Sequence, residues 1–156
     1  MTGTGNGVGF NGHSRVASGT HPEAKHTTVL LVDCWAHDNY DDGYSNHERC
    51  EGVVKGGLFE YNNKFGLGSG YGAHETVYNA ISRNNTQYGF AICADILKDE
   101  GGYGSQMTMH NCIAEGNGKA GYVAYTSKAP EANPNSMILY DCFSINNKIG
   151  FEVRDN

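Results

Sequence analysis

Asn39-Tyr-Asp-Asp-Gly43-Tyr44, Asn62-Asn-Lys-Phe-Gly66-Leu67, Asn85-Thr-Gln-Tyr-Gly89-Phe90, Asn117-Gly-Lys-Ala-Gly121-Tyr122 and Asn147-Lys-Ile-Gly150-Phe151 are one phrase written five times. In each, an asparagine is followed three or four residues later by a glycine and then by an apolar side chain. An incomplete sixth copy, Asn6 to Gly9-Phe10, opens the chain. Successive asparagines lie 33, 23, 23, 32 and 30 residues apart. A period near 23 is one supersecondary unit, and repeats of this size build solenoids. The longer intervals then carry insertions on one side of the stack.

Further columns align upstream of the asparagine. Eight residues before it stand Leu31, Val54, Val77, Met109 and Leu139, and four before it Trp35, Leu58, Ile81, Ile113 and Phe143. Between them fall Asp33, Gly56, Asn79, Asn111 and Asp141, which carry turn chemistry. A small column follows: Cys34, Gly57, Ala80, Cys112 and Cys142. After the glycine the alternation resumes, as in Phe90-x-Ile92 and Phe151-x-Val153. The pattern predicts three short strands per turn, with inward residues stacked on their equivalents about 4.8 Å away. Stacked asparagines can bond through their side-chain amides and satisfy groups buried at the bend. The glycine is expected to supply a backbone conformation other residues avoid. Helix is a poor alternative, because 22 glycines in 156 residues leave no 3.6-residue apolar stripe.

These columns resemble a right-handed parallel β-helix of the pectate-lyase-like kind, an all-β fold of about five turns here. Polysaccharide lyases, epimerases, glycoside hydrolases and phage tail spikes share it. The handedness is implied by the resemblance alone. Residues 27–156 are expected to form the β-helix domain, and residues 1–26 a partial turn and a loop carrying Pro22. Both ends read as cut inside a repeat, so a fragment of a longer protein, or a subunit with covered ends, is expected. Uncapped ends of a parallel stack expose unpaired strand edges.

A net charge of −6 with no basic cluster argues against a nucleic-acid partner. No apolar run approaches membrane-spanning length, and the first 26 residues lack a signal-peptide pattern. Five cysteines, odd in number and without a CxxC, argue against a disulfide framework or a zinc site. Three of them occupy the small column, where a thiol serves as a compact buried hydrophobe. Reduced cysteines point to synthesis in a reducing compartment.

Candidate chemistry concentrates in His37, Asp38, Asp41, Asp42, His47 and Glu48, within twelve residues. Where later turns place Ile92, Ala124 and Val153, the first two place Asn46 and Ser69, so the packing rule lapses where polar residues gather. Acids beside histidines suit general acid–base work, since burial and mutual repulsion move a carboxyl pKa toward neutrality. A solvated polar turn, with Asp42 shaping the bend before Gly43, is the plain alternative. The second turn adds Tyr71 and the pair His74-Glu75. Tyr71, His74, Asp41 and, in the first insertion, Tyr103 are expected to contact substrate, because tyrosine stacks on sugar rings. Tyr44 and Tyr122 fall in the inward column and read as core. No cofactor is expected. Asp38, Asp41, Asp42 and Glu48 are the oxygen ligands calcium prefers, yet no EF-hand spacing occurs.

The run Thr27-Thr-Val-Leu-Leu-Val-Asp-Cys-Trp-Ala-His-Asp-Asn-Tyr-Asp-Asp-Gly-Tyr44 is similar to the catalytic turn of mannuronan C5-epimerases, written D-x-x-A-H-D-N-x-x-D-G-F. The resemblance puts the catalytic aspartate on Asp42. That family carries Asp-Pro-His one turn upstream, whereas this chain has His21-Pro22-Glu23. The leading expectation is a polysaccharide-engaging module of a phage tail spike or fibre, located on a virion tail or secreted. Its partner is a bacterial surface glycan, and a homotrimer is implied by the resemblance. If it hydrolyses, Asp42 with Glu48 or Asp38 is the first carboxyl pair to consider. A uronic-acid lyase or epimerase, with Lys25, Arg49 or Arg83 at the substrate carboxylate, and a non-catalytic structural rod are the alternatives.

Overall fold

The computed structural model describes residues 1–13, 27–93, 104–125 and 134–154. His21, Pro22, Glu23, Lys25, Tyr103 and Pro130 lie outside them. Two strands open the chain, β1 (Thr2–Thr4) and β2 (Phe10–His13). Five turns of three strands follow. The first is β3 (Thr28–Val32), β4 (Trp35–His37) and β5 (Tyr44–His47). The second is β6 (Glu51–Lys55), β7 (Leu58–Glu60) and β8 (Phe65–Ser69). The third is β9 (His74–Tyr78), β10 (Ile81–Arg83) and β11 (Tyr88–Ile92). The fourth is β12 (Gln106–His110), β13 (Ile113–Glu115) and β14 (Ala120–Tyr125). The fifth is β15 (Ser136–Tyr140), β16 (Phe143–Ile145) and β17 (Ile149–Arg154). Among the described residues there is no helix.

Equivalent strands of successive turns pair in parallel. They form a sheet β1-β4-β7-β10-β13-β16, a sheet β2-β5-β8-β11-β14-β17 and a sheet β3-β6-β9-β12-β15. The chain is therefore an all-β parallel β-helix. The sequence columns are its registers: Leu31, Val54, Val77, Met109 and Leu139 lie level across the third sheet. Tyr44, Leu67, Phe90, Tyr122 and Phe151 lie level across the second. Both columns point inward, and Phe90 stacks on Tyr122 with ring centroids 5.3 Å apart. Tyr44, Leu67, Phe90, Tyr122, Val54, Val77 and Met109 are buried. Each large apolar side chain withdrawn in this way contributes about 1.5–3 kcal/mol.

The asparagines form a continuous file. Asn39 Nδ2 donates to Asn62 Oδ1 at 2.8 Å, and Asn62→Asn85, Asn85→Asn117 and Asn117→Asn147 repeat the bond at 3.0 Å each. The same carbonyl oxygens accept the backbone N–H of the preceding turn's asparagine, as from Asn62 N to Asn85 Oδ1 at 3.0 Å. The second amide proton goes to a backbone carbonyl, such as Asn85 Nδ2 to Phe59 O at 3.0 Å. Asn6 joins only through its backbone N–H, 3.3 Å from Asn39 Oδ1.

One feature differs from the sequence reading, and another is decided only by the fold. The repeat glycines Gly43, Gly66, Gly89, Gly121 and Gly150 are not in the left-handed region. Space is what demands the first four: a Cβ on Gly89 would lie 2.6 Å from the Gly121 carbonyl oxygen and 2.8 Å from Asn117 Nδ2, whereas one on Gly150, in the last turn, would meet nothing closer than 3.6 Å. Left-handed backbone falls instead on the residue before each ladder asparagine, Asp38, Tyr61, Asn84, Gly116 and Asn146, and on the Asp33 column. The Trp35 column, meanwhile, faces outward, with Trp35 and Phe143 exposed. In these three-residue strands the middle residue turns inward, so Ala36, Phe59, Ser82 and Ala114 fill the core.

Asn85→Ala should cost about 3 kcal/mol in denaturant unfolding, because it orphans the buried Asn62 donors as well as losing its own bonds. The exposed neighbour Asn63→Ala should stay within about 0.5 kcal/mol. Equal effects of the two changes would remove the ladder from its structural role.

Candidate functional site

Strand β5 alternates strictly, and this sorts its polar residues into two places. Tyr44 and Asn46 point into the coil. Ser45 and His47 point out, toward a pocket of about 210 Å³ lined also by Val8, Asn11, Asp41, Asp42, Lys64, Phe65, Tyr71 and Cys93. Asp42 immediately precedes Gly43, in the column that continues as Phe65, Tyr88 and Ala120, so its carboxyl stands where the next turns place apolar groups.

Asp42 is 7% exposed, and the backbone N–H of Phe65 donates to its Oδ1 at 3.2 Å. Burial, then the neighbouring Asp41 charge, push its pKa up to about 7. The Phe65 N–H, a hydrogen bond from the Ser45 hydroxyl and the Lys64 charge pull partly the other way. Lys64 Nζ sits 2.7 Å from Asp41 Oδ1, and that hydrogen bond holds the ammonium above its ordinary pKa. The Ser45 hydroxyl and His47 Nε2 are 2.5 Å apart. The Tyr71 ring leans on the His47 ring with centroids 5.2 Å apart. The Cys93 thiol closes the pocket, and burial pushes it up to about 12, so it is no nucleophile at neutral pH.

Of the expected site residues, the pocket brings together Asp41, Asp42, His47 and Tyr71. Asp38 and His37 lie outside it, on the first sheet's side: their side chains meet at 2.7 Å, and His37 stacks on Trp35 at 4.0 Å. Asp38 also carries the left-handed bend of its column (φ 54°). Glu48 is left-handed in the bend after β5 (φ 56°) and does not line the pocket. His74 is exposed at the start of β9, on the third sheet. Among the described residues no three His, Cys, Asp or Glu side chains are placed to hold a metal ion.

The lapse of the packing rule at Asn46 and Ser69 turns out to serve the interior. Both are buried, and Asn46 Nδ2 donates to Glu75 Oε2 at 2.6 Å. The Tyr44 hydroxyl lies 3.4 Å from the same oxygen. The Glu75 carboxyl leans into the volume that a side chain at Gly52, one turn below, would fill. Burial raises the Glu75 pKa to about 8, and the Asn46 and Tyr44 hydrogen bonds lower it only in part.

Sequence reasoning did not single out Ser45, Lys64 or Cys93. The signal for Lys64 was present: one 23-residue period from Asp41 lands on it, and its backbone N–H donates to the Asp41 carbonyl at 3.0 Å. Comparison with known proteins found no matching family profile, no matching curated protein and no matching solved structure.

Both raised carboxyls bind their proton more tightly in the folded than in the unfolded chain. Stability is then greatest below the ordinary carboxyl range, and the contribution is lost as pH climbs from about 4.5 toward the folded value of about 8 for Glu75. Chemical unfolding at pH 5 and pH 8 should show the chain weaker at pH 8, with Glu75→Gln flattening most of the difference. A chain equally stable at both values, or a Glu75→Gln variant with an undiminished slope, contradicts this.

Proposed function

We propose that this chain is a polysaccharide-engaging β-helix module in which Asp42 transfers a proton to or from a bound sugar residue. The observation that carries the reading is the Asp42 carboxyl: buried, poised near neutral pH and opening into a pocket shared with Lys64, His47 and Tyr71. A general acid or base works best with a pKa near the working pH. The pocket is smaller than a typical drug-sized site, which suits one sugar ring of an extended chain crossing the flank of the coil. Tyr71 offers that ring a partly exposed aromatic edge.

Within this reading, a uronic-acid lyase or epimerase is better supported than a hydrolase. Hydrolysis calls for two carboxyl groups flanking the bond, and among the described residues the one carboxyl besides Asp42 on the pocket wall, Asp41, is paired with Lys64. Proton abstraction beside a uronate carboxylate calls for a cation, and Lys64, which a bound uronate would have to share with Asp41, stands on the pocket wall. The local similarity of the Asp42 segment to mannuronan C5-epimerases agrees with this assignment. By resemblance of the repeat, we propose that the protein belongs with tail-spike or fibre-type glycan depolymerases, on a virion tail or secreted, and acts as a homotrimer.

A glycan array probed with the wild-type chain and with Asp42→Asn tests the reading, followed by ultraviolet detection of unsaturated uronate and solvent-deuterium incorporation at C5. Binding should survive Asp42→Asn, while turnover should fall by at least about 100-fold. Absence of binding to every acidic polysaccharide would overturn the proposal. Turnover undiminished in the variant would remove Asp42 from the chemistry.

A further inference from the structure

The sequence holds no run of basic residues, yet the stacked turns set two cations on one line. The bend between the first and second sheets carries Asp41, Lys64, Gln87 and Lys119 at the same level of successive turns. Lys64 N donates to Asp41 O at 3.0 Å, Gln87 N to Lys64 O at 3.0 Å and Lys119 N to Gln87 O at 2.7 Å. Both lysines lean back by one turn: Lys64 Nζ lies 2.7 Å from Asp41 Oδ1, and Lys119 Nζ lies 3.1 Å from Gln87 Oε1. Lys119 Nζ also stands over the Tyr88 ring, 5.4 Å from its centroid. That ring is tied in place, since the Tyr88 hydroxyl accepts from the Tyr125 hydroxyl at 2.9 Å and from Arg154 Nη1 at 2.6 Å. Lys119 is exposed, and among the described residues no carboxylate is paired with it. The Gln87 amide oxygen steadies the ammonium without neutralising it.

We propose that this column is a binding track for an anionic glycan that runs along the coil axis, from the Asp42 pocket to Lys119. Rungs of the stack lie about 4.8 Å apart, so the two ammonium groups stand about 9.6 Å apart. An extended pyranose chain advances by about one such rung per residue. A sugar on Lys64 therefore sets its neighbour at Gln87 and the one after at Lys119. The track fits a glycan that presents a carboxylate on one side at every second residue. Two kinds of polymer do so: one in which a uronate alternates with a neutral sugar, and an all-uronate chain with a two-fold twist, whose successive carboxylates point to opposite sides. The Gln87 amide has N–H groups to donate to a hydroxyl of the middle sugar. Lys64 lines the pocket, so the sugar it takes is the one presented to Asp42. Lys119 has no acid to displace, which makes it the better anchor of the two. The inference rests on the functional reading above and deepens it, by giving the substrate a charge pattern and a direction.

The experiment is a calorimetric titration of the chain with oligouronates from dimer to hexamer, with alternating uronate–hexosamine oligomers of the same lengths, and with neutral gluco-oligomers and polyphosphate as controls. A dimer cannot reach from Lys64 to Lys119, whereas a tetramer can. Affinity for at least one acidic series should therefore rise by about 10-fold or more between dimer and tetramer, the scale of one charge-assisted hydrogen bond. Lys119→Gln should abolish that rise and leave dimer binding unchanged. Lys55→Gln removes the same charge from the exposed end of β6 on the third sheet, and should leave the rise intact. A rise that survives Lys119→Gln, or one that Lys55→Gln removes equally, overturns the track. Neutral oligomers or polyphosphate bound as tightly as the acidic sugars overturn it as well. Failure of every acidic oligomer to bind sinks the track and the functional reading together. Length-dependent binding that needs Lys119, with no turnover of any probe, leaves the track standing and sinks proton transfer by Asp42. Turnover that needs Asp42, with the same length profile in wild type and Lys119→Gln, does the opposite.

Discussion

Each bend of this coil turns a backbone N–H inward, away from solvent, at a position where neighbouring strands cannot accept it. The asparagine amide meets that demand from one turn away. Its carbonyl takes the buried N–H and the amide proton of the turn before, and its own amide protons reach a backbone carbonyl and the next carbonyl in the file. A group carrying both a donor and an acceptor, repeated at the strand spacing, can satisfy itself along a stack of any height. The file also pins the vertical register. Intervals of 23, 23, 32 and 30 residues all return to the same position in the file.

Everything at the pocket inherits that register. Lys64 sits on Asp41 because the two are one turn apart. The carboxyl of Asp42 is enclosed because its column continues as Phe65 and Tyr88, both part of a buried apolar layer on the outer side of the second sheet. A carboxyl that replaces an apolar side chain in such a column loses its water, and its proton stays on to a higher pH. The glycines of the repeat have a related role. They let one turn's carbonyl and the ladder amide of the next approach more closely than any side chain would allow.

Strand β5 shows how one short segment serves two polar settings. Its inward residues, Tyr44 and Asn46, meet Glu75 inside the coil, and its outward residues, Ser45 and His47, meet each other and line the pocket with Asp42. Both carboxyls are raised by burial, but only the outer one opens into a cavity that a substrate could enter. Glu75 reads more simply as a neutral hydrogen-bonded filler of the space left by Gly52.

The repeat was legible in the sequence because it rests on local demands that one turn can state by itself. A bend needs an amide, a close approach needs a glycine, and a strand needs alternation. Three strands per turn, the inward Tyr44 and Tyr122 and the bend at Asp33 follow from those demands. Contacts between turns were less legible, since they depend on which side of a three-residue strand faces in. The Trp35 column turned outward for that reason. The cluster from His37 to Glu48 looked continuous along the chain, yet a bend and a reversal of side-chain direction divide it. Only the stacked turns decided that Asp42 would keep Ser45, His47, Lys64 and Tyr71 for company while Asp38 went to another face, because proximity across turns is set by register and not by separation along the chain.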